Sequence, residues 1–129
     1  MKEILFKDKY HLLVKEIMKN EIKFTKVADF IDYFTTKIVA HPVAAYIGTF
    51  DHYNHTKGLE VGHVDESILA ARHIIFCFGK ELESPLVMGM RPRSIGIAEL
   101  ADRFVISLQE APKELANDAM KSWIAGLES

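Results

Sequence analysis

The sequence predicts a single α+β domain over residues 1–129, a mainly antiparallel sheet with helices packed on one face. Three observations carry that prediction. A chain of 129 residues is long enough for one core and too short for two good ones. Two stretches, one before Pro42 and one after Pro112, repeat apolar residues at helical spacing. Between them lie extended stretches rich in β-branched and aromatic residues.

The first stretch is ambiguous on its own pattern. Phe6, Tyr10, Leu13, Ile17 and Met18 fit a helix, whereas Tyr10, Leu12 and Val14 fit an alternating strand. The next is clear. In KVADFIDYFTTKIVA the residues Val27, Phe30, Ile31, Phe34 and Ile38 form one apolar stripe, and Asp29, Asp32 and Lys37 face water. Thr25 is placed to accept from the first free amides, and Pro42 disfavours helical geometry at His41. AAYIGTF, Ala44 to Phe50, is apolar on both faces and reads as a central strand. ARHIIFCFG is β-branched and aromatic, ends at Gly79, and reads as another strand. SIGIAEL and RFVISLQ, joined by Ala101 and Asp102, form a hairpin. Pro112 then opens a helix whose stripe is Leu115, Ala119, Trp123 and Leu127, widened by Ala116, Met120 and Ile124.

Composition narrows the function. A net charge of −2 with a pI near 6.3 exerts no long-range pull on a phosphate backbone, so no nucleic-acid partner is expected. Cys77 is the one cysteine, which leaves no intrachain disulfide and suits a reducing compartment. The charges in MKEILFKDKY argue against a secretory signal or a membrane span, so the expected location is cytoplasmic, with no membrane partner.

HPVAAYIGTFDHYNHT, IIFCFGK, RPRSIGIAEL and FVISLQEAP together resemble an uncharacterised bacterial protein family, over nearly the full chain. More remotely, FDH after a strand, IFCFG and RSIGIAE are similar to a broader domain-of-unknown-function family with a TATA-box-binding-protein-like fold. That resemblance implies a strand over Lys9 to Met18, and hence the order strand, helix, four strands, helix. A fold name implies no DNA binding, because function belongs to sites.

Chemistry-bearing residues cluster at two places. FDHYNHT holds Asp51, His52, Tyr53 and His55, with Tyr46 before them and His63 after. An extended backbone would put His52 and His55 on opposite faces, whereas a turn at Tyr53 and Asn54 would let their imidazoles converge, with His63 or Asp51 as a third ligand. Zinc, iron or haem are the cofactors such a set would take. The bland alternative is that these groups cap strand ends and bond to nearby backbone. Arg91 and Arg93, stiffened by Pro92, form the second cluster and suit a carboxylate or other oxyanion, unless Glu99 or Glu110 already pairs with them. Cys77, beside His73, reads as a packed thiol; Met88 and Met90 stand in a stretch that either leads into a strand or lines a pocket, core or edge packing being the usual fate of such residues.

The leading functional expectation is a non-enzymatic small-molecule or anion-binding domain. Its pocket mouth is lined by Tyr46, Asp51, His52, Tyr53 and His55, with Arg91 and Arg93 as further ligand-binding residues. The competing expectations are a metal-binding or acid/base enzyme using Asp51, His52 and His55, with metal at His52, His55 and His63, and a homodimeric interaction module.

Overall fold

The opening segment, which periodicity left undecided, is half of a hairpin. In the computed structural model, which describes residues 1–128, β1 (Lys2–Phe6) pairs antiparallel with β2 (Tyr10–Met18). Lys7 and Asp8 both take left-handed backbone angles, and the Lys9 amide donates to the Phe6 carbonyl at 3.1 Å. Neither is the asparagine or glycine that advertises such a turn, so β1 left no signal in the sequence.

The remaining elements are α1 (Val27–Ala40), β3 (Ala44–Asp51), α2 (His52–Lys57), β4 (Ala70–Phe78), β5 (Arg93–Glu99), β6 (Arg103–Gln109) and α3 (Glu114–Ala125). Six strands form one antiparallel sheet in the order β1-β2-β6-β5-β4-β3. The α+β class and the four-strand run between the long helices are as expected, with β1 added at one edge.

One face of the sheet presents Leu13 and Ile17 of β2, Ile74, Phe76 and Phe78 of β4, Ile95 and Ile97 of β5, and Phe104, Ile106 and Leu108 of β6, all buried. Both long helices cover it. α1 contributes Val27, Phe30, Ile31, Phe34 and Ile38, the stripe its spacing predicts. Phe30 meets Phe104 with ring centres 4.7 Å apart, and Trp123 of α3 stacks on Phe78 at 5.4 Å. Tyr33 donates to the Trp123 carbonyl at 2.5 Å and ties the two helices together.

Four expectations need correction. β3 is an edge strand, not a central one: it bulges at Ile47 between Tyr46 and Gly48, and Tyr46, Ile47 and Phe50 stay exposed. An edge strand with a bulge twists away from further pairing, which suits its position. The free amides at the start of α1 are met by Asp29, not Thr25; its carboxylate accepts from Thr25 N at 2.9 Å and Lys26 N at 3.2 Å. The apolar stripe of α3 is centred on Ala116, Met120, Trp123 and Ile124, leaving Leu115 exposed. Met88 and Met90 lie on an exposed 3-10 turn, Pro85–Met90, rather than in the core, and Met90 lines a pocket.

Candidate functional site

The two predicted clusters fall at opposite ends of β4 and on opposite faces of the sheet. His73 marks one and Phe78 the other, five residues or about 17 Å apart at the rise of a strand.

At the Phe78 end, a cavity of about 340 Å³ opens where β4 ends, β5 begins and α3 starts. Its walls are largely apolar: Val43, Phe78, Val87, Met90, Ala111, Pro112, Leu115 and Ala116. Arg91 and Arg93 both line it, with Lys80 and Lys113 beside them. The size matches that of small-ligand sites, which are mostly apolar with a few oriented polar groups.

The arginines are held by backbone. Arg91 donates Nη1 to the Glu81 carbonyl at 2.9 Å, and its guanidinium lies against Gly79. Gly79 has φ +116°, which requires glycine, and a Cβ there would sit 2.8 Å from Arg91 Nη2, so the guanidinium would have to shift. Arg93 donates Nη1 to Met90 O at 3.5 Å and Nη2 to Gln109 O. Its Nε is buried and has no hydrogen-bond partner among the described residues. Burial pulls the Arg93 guanidinium below its ordinary pKa, yet an arginine keeps its charge at any physiological pH. A half-buried cation with an unsatisfied donor therefore stands in an apolar cavity. Neither Glu99 nor Glu110 pairs with it: Glu99 is taken by Lys19 at 2.7 Å, and Lys113 pairs with Glu83.

One residue that the sequence did not single out shapes this cavity. Asn117, on α3 and 2% exposed, accepts from Ala111 N and donates to Ala111 O, both at 2.8 Å. That pair of hydrogen bonds clamps the β6 to α3 connection, which forms one wall. The signal was an amide inside the apolar stripe of α3, a position that demands buried partners. A second depression, about 630 Å³, lies between β2 and α3, where Lys15 is already paired with Glu128 at 2.8 Å.

At the other end of β4, α2 begins directly after β3. Asp51 caps it, accepting from Asn54 N at 3.0 Å and from Asn54 Nδ2 at 2.7 Å. These bonds, the Asn54 amide first and then its side chain, hold the Asp51 carboxyl below the usual range, with Arg72 3.8 Å away adding to the effect. The chain thus turns at Tyr53 and Asn54. His52, however, meets His73 of β4: Nδ1 and Nε2 are 2.8 Å apart. The ring centres are 5.1 Å apart, so the nitrogens face each other nearly head-on, one ring donating to the other. Phe50 packs against His52, His55 and His73, with His55 5.2 Å from its ring centre. The His73 ring lies over Gly96, whose absent side chain leaves it room. Burial, and then the neighbouring His52, push the His73 pKa down. His63 stands beside Asp65 in the following loop. Among the described residues no group of three or more His, Cys, Asp or Glu is arranged to hold a metal ion.

Of the predicted site residues, Arg91 and Arg93 line the cavity, while Tyr46, Asp51, His52, Tyr53 and His55 do not. Cys77 lies on the same sheet face as His73 and is half-buried. No helix among the described residues is long and apolar enough to cross a membrane.

No curated protein and no solved structure matches the chain. Residues 1–129 match the model of a family of unknown function (DUF6858), and the chain belongs to that family.

Proposed function

We propose that this member of a family of unknown function binds a small anionic molecule in the cavity floored by Arg91 and Arg93, without performing catalysis on it. One observation carries the reading: Arg93 lines an apolar cavity, and its buried Nε has no partner among the described residues. A buried donor without an acceptor costs about 1–3 kcal/mol, and a carboxylate supplied by a ligand would recover that cost. A planar guanidinium suits a carboxylate, since it donates two parallel bonds. The apolar walls favour an anion with a hydrocarbon body over a bare inorganic ion. The histidines then belong to a separate feature at the far end of β4, not to the mouth of this pocket.

Thermal unfolding in the presence of hexanoate, benzoate and inorganic phosphate tests the reading. A ligand at ten times its Kd stabilises the native state by about 1.4 kcal/mol, roughly 5 °C for a chain of this size. The carboxylates are expected to raise the midpoint and Arg93→Met to remove the rise. A midpoint that no carboxylate moves would sink the proposal.

A further inference from the structure

We infer that the anion is a straight-chain carboxylate whose head meets Arg93 and whose aliphatic tail leaves the cavity across an apolar lip. The inference rests on the binding role proposed for the cavity and specifies its ligand class.

The lip is the stretch from Leu82 to Met90. Leu86 is 85% exposed and Leu82 74%, and Met88, Met90 and Leu115 are exposed as well. Single exposed apolar residues are ordinary, but a contiguous group at the rim of an apolar cavity marks a binding surface. The group is continuous with the wall: Val87, Met90 and Leu115 line the cavity, and Leu86 and Met88 flank Val87 on the same turn. Ser84 fixes the turn by accepting from Leu86 N at 3.2 Å. Methionines suit such a lip because they are flexible and polarisable and adapt to a chain without a fixed shape.

Volume sets the division between head and tail. A cavity of about 340 Å³ holds roughly eleven non-hydrogen atoms at the ~30 Å³ that each water occupies in the liquid. A carboxylate takes three of them, leaving room for about eight carbons inside. Longer chains then extend over Leu86 and Met88. The cations outnumber the acids at the cavity: Arg91, Arg93, Lys80 and Lys113 line it, with Glu81 the one carboxylate among its described lining residues, and Glu83 in the lip is paired with Lys113.

Calorimetric titration of the full chain with butanoate, octanoate, dodecanoate and dodecanol, each below its aggregation threshold, tests the inference. Affinity is expected to rise by up to about fourfold per methylene, the equivalent of ~0.8 kcal/mol for each buried CH₂. Arg93→Met should erase the preference for dodecanoate over dodecanol. The double variant Leu86→Ser, Met88→Ser should weaken dodecanoate and leave butanoate unchanged. Butanoate binding as tightly as dodecanoate would overturn the tail while leaving the anion pocket standing. Failure of every carboxylate would overturn both. Sedimentation of the ligand-free chain adds a separate outcome: a dimer dispersed by the double variant would mean that a second copy covers the lip, and would overturn the tail assignment.

Discussion

Asn117 is where cavity shape and stability meet, and removing its amide is expected to damage both. Ala111 is 7% exposed, so its N–H and C=O have no ready access to water once the Asn117 side chain is gone. Each group left unsatisfied costs about 1–3 kcal/mol, giving roughly 2–6 kcal/mol for Asn117→Ala. That is a large part of the ~5–15 kcal/mol that stabilises a typical domain. Asn117→Asp is the sharper probe, because it keeps the shape and the acceptor but replaces the donor with a second oxygen facing Ala111 O. Its carboxyl should therefore have a folded pKa raised above the unfolded value of ~3.9. The sign follows: the variant's deficit against wild type is largest at neutral pH and shrinks as the pH falls through the raised pKa, where an O–H again donates to Ala111 O. Urea denaturation of wild type and both variants between pH 4 and 8 measures this directly. An Asn117→Ala cost under ~1 kcal/mol, together with a pH-independent Asn117→Asp deficit, would refute the clamp.

Three further outcomes are expected. His73 has a depressed folded pKa, so its contribution to stability is present above the unfolded value of ~6.5 and is lost as the pH falls through the folded pKa. The slope from this site stays below the one-proton limit of ~1.4 kcal/mol per pH unit, and His73→Phe should flatten the pH 5–7 stability profile relative to wild type; an unchanged profile would count against the hydrogen-bonded pair. Asp51→Ala removes the cap of α2 and should cost ~1 kcal/mol in urea titration, while Asp51→Asn should lose only part of it. Gly79→Ala is expected to destabilise by more than ~1 kcal/mol, because φ is +116° and the new Cβ would crowd Arg91, and carboxylate-induced thermal shifts should fall with it.

What was legible in the sequence follows from where the forces are local. The α1 stripe, the strand at Ala70–Phe78 and the hairpin after Arg93 were readable because burial imposes a period on neighbouring residues, and Phe34, Phe76 and Ile106 obey it. β1 was not, since its turn uses Lys7 and Asp8 in place of glycine and its residues are exposed along the whole strand. The edge position of β3 was hidden for a related reason. AAYIGTF is apolar on both faces, as a central strand would be, and only the bulge at Ile47 and the pairing order reveal that Tyr46, Ile47 and Phe50 remain uncovered.

The candidate site divides along the same line. Arg91 and Arg93 were visible because their types and spacing suit an anion irrespective of tertiary structure. The partner of His52 was not legible: His52 and His55 both pack on Phe50, but the imidazole that His52 meets lies 21 positions away, on β4. No local pattern encodes that pairing; it depends on the register that sets Phe50 opposite His73 and Gly96 beside it. The register has a chemical consequence for the two ends of the sheet. At one end, two imidazoles bond each other through one nitrogen apiece, in a place open to water. At the other, Arg93 lines the cavity and its buried Nε has no partner among the described residues. A ligand gains most where the protein has left a polar group unsatisfied, which is the reason the proposed anion site is set at Arg93 and not at the histidines, although they form the denser cluster in the sequence.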